Sequence, residues 1–484
     1  MPVMGKLLAD IRKGREDRAL YLAGILPYLF ALGCARAWVT LAVAAPALAL
    51  PAPFDLHDVF DYAMALASVA VAIWGRRLVP LNATGAVRTV SAGAMAAASL
   101  ALIAAGEAAF PGGAAAVLAV VGAALGGIGF GLFLVLWAEV LSCISLIRIF
   151  LYTTASQLAA VVFVFFCGGL DGLRVACAMV ALPVAAVLCL RAAFQALPAA
   201  DRPSPVMPRL TYPWKIFVLL ALYSFAYGLR QHQLAAGAGM HSSASTALIM
   251  AVLFASAYFF SARFNVGALY RSPLVLIVCG FLLVPVEGFL GTAASSYLIS
   301  MSYSLVGIIV ALLLYDISKR LGVTVVVFAA IKGAEQVFVI WGKDVADTMG
   351  ALGLAAGAQD TVIAVAVVAM MLAATLILLS ERELASKWGV RILDIGGLVE
   401  KTPEEERREA HVAELAERFR LTPRETEILH LIAQGKNGPA IRGELFIAEG
   451  TFKAHTSHIY EKCGVPNRRA LVALLGADGP GGRL

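Results

Sequence analysis

"TVIAVAVVAMMLAATLILLSERELASKWGVR", residues 361–391, changes character within a few positions. Up to Leu379 it is an unbroken apolar run; from Ser380 onward charges recur every few residues. Toward the N-terminus, residues 19–380 are a succession of apolar runs of about 16–25 residues, the length that crosses ~30 Å of hydrocarbon at 1.5 Å per residue. Toward the C-terminus, residues 381–484 carry 16 of the 38 Lys and Arg. The 60% hydrophobic and 14% charged content of the 484 residues therefore averages two unlike parts. The same holds for the mean hydropathy of +0.83. The expected class is all-α: a polytopic membrane bundle of about 12 helices, followed by a small soluble helical domain.

Candidate spans lie near 19–43, 58–75, 86–106, 114–137, 149–168, 173–190, 216–236, 245–262, 272–291, 296–315, 322–342 and 359–380. With the N-terminus in the cytoplasm, the inner loops and the charged 1–18 lead hold 17 Lys and Arg, while the outer side holds Arg174, Arg230 and Lys343. That is the positive-inside bias, and it alternates through all twelve spans, so the C-terminal part is expected back in the cytoplasm. A removable signal peptide is not expected, because the first apolar run is too long for one. The proline-rich stretch "RAAFQALPAADRPSPVMPRLTYPWK" (191–215) divides the membrane domain 19–380 into halves 19–190 and 216–380. This six-plus-six layout, with "GRR" (75–77) as an incomplete signature loop, resembles the major facilitator superfamily. The resemblance implies two six-helix halves around a central cavity.

Small residues crowd the fourth span, "VGAALGGIGFGLF" (121–133), where they suit close helix packing or, alternatively, a hinge. Ionisable residues inside spans face a cavity or a partner. Tyr28 and Arg36 share a face of the first span; Tyr223, Tyr227 and Arg230 share one on the seventh, with His232 just beyond. Lys332, Glu335 and Gln336 share a face of the eleventh, and Glu139, Glu287 and Asp316 lie in or near other spans. One reading is a ligand cavity lined by Tyr28, Arg36, Tyr223, Tyr227, Arg230, His232, Lys332 and Glu335. Its three cations at similar depth leave positive charge to be met, which points to a small organic anion. The other reading is a Lys332–Glu335 ion pair with arginines reaching the interface. The seven cysteines form no CxxC pair and no metal-like cluster, and six sit in apolar runs as small packing residues.

Residues 381–420 read as a linker carrying a helix at 402–420, opened by Thr402, Pro403 and Glu405 as a capping box. Its stripe Val412, Leu415, Ala416 and Phe419 suits a dimer seam, a strut or local packing. Four short helices follow in 421–476, and 477–484 is expected to be a disordered tail. The first helix opens on the capping box Thr422–Glu425 and stops at Gly435. The third, 449–463, is polar and basic, and Asn467 caps the fourth. Two short helices joined tightly, the second polar, form a helix-turn-helix. Residues 421–475 hold seven Lys and Arg against five Glu, a net charge of +2 that suits one basic edge.

This stretch, with "LTPRETEIL", "GTFKAH", "IYEKCGV" and "NRRALV", resembles the LuxR-type helix-turn-helix of bacterial transcription regulators. The resemblance implies that the third helix enters the major groove of double-stranded DNA and that homodimers bind inverted half-sites. It places Lys453 and Ala454 at bases, Ser457 one turn on, and Thr451 and Lys462 near phosphate. "GPAIR" (438–442) departs from the family pattern, with Arg442 where a small residue packs; Thr456 and Cys463 replace core leucines, and Ala448 replaces a capping Ser or Thr.

The expected function is that of a one-component transcription regulator in the bacterial cell membrane, with both termini cytoplasmic. The membrane domain would sense a small molecule and control the DNA-binding domain. Alternatives are a transporter with a regulatory tail and an anchor that senses nothing. Neither a metal site, a cofactor nor a catalytic pair is expected: the sequence offers no nucleotide-binding loop and no nucleophile beside a base.

Overall fold

The computed structural model describes residues 26–44, 55–74, 80–106, 112–144, 146–167, 170, 172–197, 214–234, 243–259, 266–286, 292–321, 326–351, 356–378, 403–445 and 449–477. The 1–18 lead, the loop 198–213, Thr402 and the expected tail from 478 lie outside them. Two compact units emerge, Met1–Leu398 and Val399–Leu484.

Among the described residues the first unit holds twelve helices longer than a single turn. They are α1 Leu26–Val39, α2 Leu56–Trp74, α3 Ala86–Gly106, α4 Gly112–Leu141, α5 Leu146–Cys167 and α6 Gly172–Ala196. Then come α7 Trp214–Leu234, α8 Ser243–Phe259, α9 Val266–Leu283, α10 Thr292–Leu321, α11 Val326–Ala351 and α12 Ala356–Leu378. Six of them, by length and composition, are long and apolar enough among the described residues to cross a membrane. Large apolar side chains on their outer faces, such as Leu100, Phe165, Phe166 and Leu173, stay exposed, which hydrocarbon tolerates and water does not.

The packing repeats at a step of six helices. In the first half α1 lies on α5 and α6, α2 and α3 on α4, and α3 on α6. In the second half α7 lies on α11 and α12, α8 and α9 on α10, and α9 on α12. The halves meet where α2 packs on α11 and α5 on α8, flanked by α4 on α11 and α5 on α10. Advancing every helix number by six turns each of those pairings into another of them. Such a map has an approximate two-fold axis relating the halves, which the weak internal symmetry of many transporter folds also has.

Small residues make the close crossings. A Cβ on Gly127 of α4 would lie 2.1 Å from the Phe60 carbonyl of α2, and one on Gly129 would lie 2.8 Å from the Met95 amide of α3. The glycines of the fourth span are thus seats for neighbouring backbones. In the second half, Gly228 of α7 and Gly342 of α11 are reciprocal seats, with hypothetical Cβ atoms 2.0 and 2.3 Å from the Val339 and Phe225 carbonyls. Hydroxyls close the remaining gaps: Trp38 Nε1 donates to Ser99 Oγ at 2.8 Å, and Ser99 Oγ donates to the Met179 carbonyl at 2.7 Å, tying α1, α3 and α6. Close approach and interhelical hydrogen bonds are what hold helices together where lipid removes the hydrophobic drive.

The second unit consists of α13 Pro403–Arg418, α14 Pro423–Ala433, α15 Gly438–Leu445, α16 Glu449–Cys463 and α17 Arg468–Ala477. Its core gathers Val412 and Leu415 of α13 with Ile428, Leu429, Ile432, Ile441, Ile459 and Leu471. The α13 stripe therefore packs locally, and the helix belongs to this unit. The cap signals hold. Thr422 Oγ1 accepts the Glu425 amide while Glu425 Oε2 accepts the Thr422 amide at 2.7 Å; Gly435 ends α14 at φ +79°; Asn467 Oδ1 accepts the Ala470 amide.

Candidate DNA-reading helix and buried charge cluster

Helix α16 turns Thr456, Ile459 and Cys463 inward and leaves Thr451, Lys453, Ala454 and Ser457 exposed. Four of the residues expected on DNA thus share one accessible surface. Thr456 is tolerated in the core because its hydroxyl donates to the Phe452 and Lys453 carbonyls at 3.0 Å. Lys462, expected near phosphate, is exposed toward the end of the helix, and its Nζ donates to Glu425 Oε2 at 2.7 Å and reaches the Arg420 carbonyl at 3.4 Å. Glu425 is buried; burial pushes its carboxyl up, but Lys462 and the Thr422 amide outweigh that and hold it below its ordinary value.

Two charged residues that the sequence reading did not place on DNA frame Lys453. Glu449 opens α16 and takes Lys453 Nζ at 2.9 Å on Oε1 and Arg442 at 2.9 Å on Oε2. Both cations, with which Glu449 also makes hydrogen bonds, hold its carboxyl below the usual range. Arg442, where the family packs a small residue, thus swings out across the turn. The spacing of Arg442 and Glu449 at i, i+7 across a tight connection carried that signal weakly. Ala448 lies outside the described residues.

In the first unit the predicted cavity residues divide. Arg36 of α1 lies with its Cζ 5.9 Å from the centroid of the Phe130 ring of α4. It keeps some accessible surface deep in the bundle and feels Tyr303, Glu335 and Asp61, while its buried Nε has no hydrogen-bond partner among the described residues. Glu335 of α11 is 1% exposed and accepts Tyr303 Oη at 2.8 Å. Tyr227 of α7 stacks on Tyr303 of α10 with ring centroids 4.2 Å apart. So Arg36, Tyr227 and Glu335 come together, at the meeting of the two halves.

Arg230 donates to Ser295 Oγ of α10 at 3.1 Å. Tyr28 is taken elsewhere: it reaches the Ala193 carbonyl of α6 and packs on Tyr152 at 4.8 Å. Tyr223 is buried in α7, and the side chains of His232 and Lys332 lie outside the described residues. The sequence reading missed Asp61 and Tyr303. Asp61 of α2 is 5% exposed, and His57 Nε2 at 3.6 Å is its neighbour one turn away. An acidic residue four positions into a span was the available signal.

Glu139 is a buried carboxylate of another kind. At the end of α4 it accepts the Leu81 and Asn82 amides and Asn82 Nδ2 at 2.7–2.8 Å, capping the single turn Leu81–Thr84. At the opposite end of the bundle Lys343 of α11 clasps Asp58 at 2.6 Å and Asp55 at 3.1 Å, bracing α11 on α2.

Comparison with known proteins follows the same division. The chain is 49% identical over 53 residues to the "Probable transcriptional regulatory protein NarL" of two Mycobacterium tuberculosis strains, CDC 1551 / Oshkosh and ATCC 25618 / H37Rv. That stretch is 11% of this chain, which spans about a quarter (24%) of those relatives' length. A bacterial homologue of the iron transporter ferroportin, in the outward-facing state, is similar in structure at a TM-score of 0.51 and 12% identity, over 76% of this chain and 98% of that one. The major-facilitator proton:xylose symporter XylE follows at 0.49 and 15% identity over 73% and 93%, a likeness too slight to argue from. Residues 420–475 match the family "GerE: Bacterial regulatory proteins, luxR family", so the chain carries a LuxR-type DNA-binding domain behind an apolar helical unit whose fold is like that of the ferroportin homologue.

Proposed function

We propose that this chain is a transcription regulator that works from within the membrane. The six-plus-six domain senses a small molecule, and the tethered unit, as a homodimer, reads an inverted-repeat site from the cytoplasmic face. The observation that carries this reading is the union on one chain of an accessible α16 surface with a membrane bundle whose centre holds Arg36 beside aromatic rings. An organic anion is the ligand that Arg36 would recruit, with Tyr227, Tyr303 and Phe130 as its walls.

The test compares transcripts of a deletion strain and its parent over a panel of small metabolites, then repeats the responding condition with Arg36→Gln. A promoter whose response vanishes in both supports the reading. A response that survives replacement of residues 19–380 by unrelated spans reduces the bundle to an anchor. The two-fold packing of the halves also suits transport, and accumulation or extrusion of the same compound by cells independent of Lys453 would favour that second reading.

A further inference from the structure

Glu449 is an unexpected charge on a helix whose candidate partner is a polyanion. Its side chain is 56% exposed in the first turn of α16, the part of a recognition helix that meets base edges. An acid in a first turn complements the helix dipole, which by itself is reason enough for its presence. The dipole does not account for the two cations that gather on it. Lys453, one turn on, closes to 2.9 Å on Oε1, and Arg442 reaches from α15 to 2.9 Å on Oε2. One negative charge thus carries two positive ones, which offsets its repulsion from phosphate.

Each cation occupies one acceptor site of the carboxylate. An ionised carboxylate has about four such sites, two on each oxygen. Glu449 therefore keeps acceptor capacity, beside a Lys453 side chain that is 74% exposed and has donors to spare. The first turn presents, 2.9 Å apart, an acceptor that can never donate and a donor that can never accept.

That pair has a match among the major-groove edges. Cytosine shows the N4 amino donor, and its guanine partner shows the O6 and N7 acceptors beside it. A carboxylate on N4 with an ammonium on O6 or N7 leaves no group facing its like. Adenine also offers an amino donor, but its N7 acceptor lies next to it and faces the carboxylate, while the thymine methyl crowds the ammonium.

Resting on the DNA-reading regulator proposed above, we infer that Glu449 and Lys453 together read one C·G base pair in each half-site. Glu449 accepts the cytosine N4 amino group, and Lys453 donates to the guanine O6 or N7. Arg442 is a positioning residue: it holds the second carboxylate oxygen, so that Glu449 meets the groove neutralised and in one orientation.

The experiment uses the full chain in detergent micelles and a library of random-sequence duplexes, with the bound DNA recovered and sequenced. The parent is expected to enrich one C·G pair at a fixed position of each half-site. Glu449→Ala should lower the preference for that pair by about fivefold or more, the scale of one base-edge contact, while the other enriched positions stay. Glu449→Gln should move the preference there to A·T, because its amide offers the acceptor and donor that adenine matches. That shift separates lost reading from lost folding. Arg442→Ala should weaken the C·G preference, and Arg442→Lys, which keeps the charge, should restore part of it.

A Glu449→Ala chain that selects the same sequences as the parent, changed only in total affinity and salt dependence, overturns the inference and leaves Glu449 a counter-ion. So does a parent whose selected half-sites hold no fixed C·G pair. A parent that selects no sequence at all overturns the underlying regulator, and the inference with it.

Discussion

Glu425 and Asp61 are both nearly inaccessible carboxylates, and the molecule treats them in opposite ways. Glu425, 4% exposed in its side chain, takes the Thr422 amide and the Lys462 ammonium at 2.7 Å each. Asp61, 5% exposed, has among the described residues only the His57 imidazole within ion-pair reach, at 3.6 Å. The first is a finished structural joint, joining the start of α14 to the end of α16. The second is an unfinished one at the meeting of two halves. A buried charge fully met by its neighbours has nothing left for a ligand, and one left short is where binding energy can be stored. Glu139, in the membrane domain yet as fully met as Glu425, shows that the contrast does not follow solvent.

That contrast orders the expected effects of substitution. Glu139→Ala is the most damaging: it removes the buried acceptor of the Leu81 and Asn82 amides and of Asn82 Nδ2, which keeps the Leu136 carbonyl at 2.9 Å, at a cost of about 3–5 kcal/mol. Unfolding temperature and monodispersity in detergent should both fall, and a variant indistinguishable from the parent would break the comparison. Glu425→Ala comes next, at about 2–3 kcal/mol, since it removes the capping box and leaves the Lys462 ammonium without its carboxylate.

The pH dependence of the second unit sharpens the same point. The Glu425 carboxyl lies below its ordinary value of 4.5 in the folded unit. A depressed folded value means stability that is fully present above 4.5 and is lost as pH falls through the lower folded value. Denaturant midpoints of a 399–484 fragment, taken between neutrality and acid, should show that loss, and Glu425→Gln should flatten it.

Lys453→Ala tests the exposed surface. Operator affinity should drop by about 1–3 kcal/mol with altered sequence preference if the amine reads a base. An even loss across sequences with a shallower salt slope would assign it to phosphate instead. Asp61→Asn should have the smallest effect on folding, about 1 kcal/mol or less in either direction, because it removes a charge whose compensation is already poor. A loss as large as that of Glu139→Ala would show that Asp61 is structural and erase the distinction.

Much of this was legible before any coordinates. Span lengths, the glycines of α4, the Thr422 capping box, the Gly435 stop and the recognition-helix pattern are local signals, set within a turn or two of chain. The cluster was half legible. Arg36, Tyr227 and Glu335 announced themselves as polar residues in apolar runs, but Asp61 sits near a span edge where an acid attracts no notice. Tyr303 is one of several aromatics in the apolar runs, with no local signal to set it apart. Their meeting depends on how α2 lies on α11, some 270 residues away in the chain, and no periodicity carries that. Likewise Val412 and Leu415 form a stripe whose spacing is equally good for a dimer seam, and only the tertiary core decides that it stays at home.

Glu449 gives the candidate DNA-reading helix a counter-ion of its own. With Arg442 and Lys453 both occupied by one carboxylate, generic phosphate must compete with an intramolecular partner before it gains either cation. A free repressor profits from clinging to any duplex, because sliding shortens its search. A reader tied to a bilayer cannot slide far, and a strongly basic one would glue whatever stretch of chromosome drifted past. Under the proposed function, weak hold on the wrong sequence would keep the DNA moving past a stationary reader, so that the search would be carried out by the chromosome.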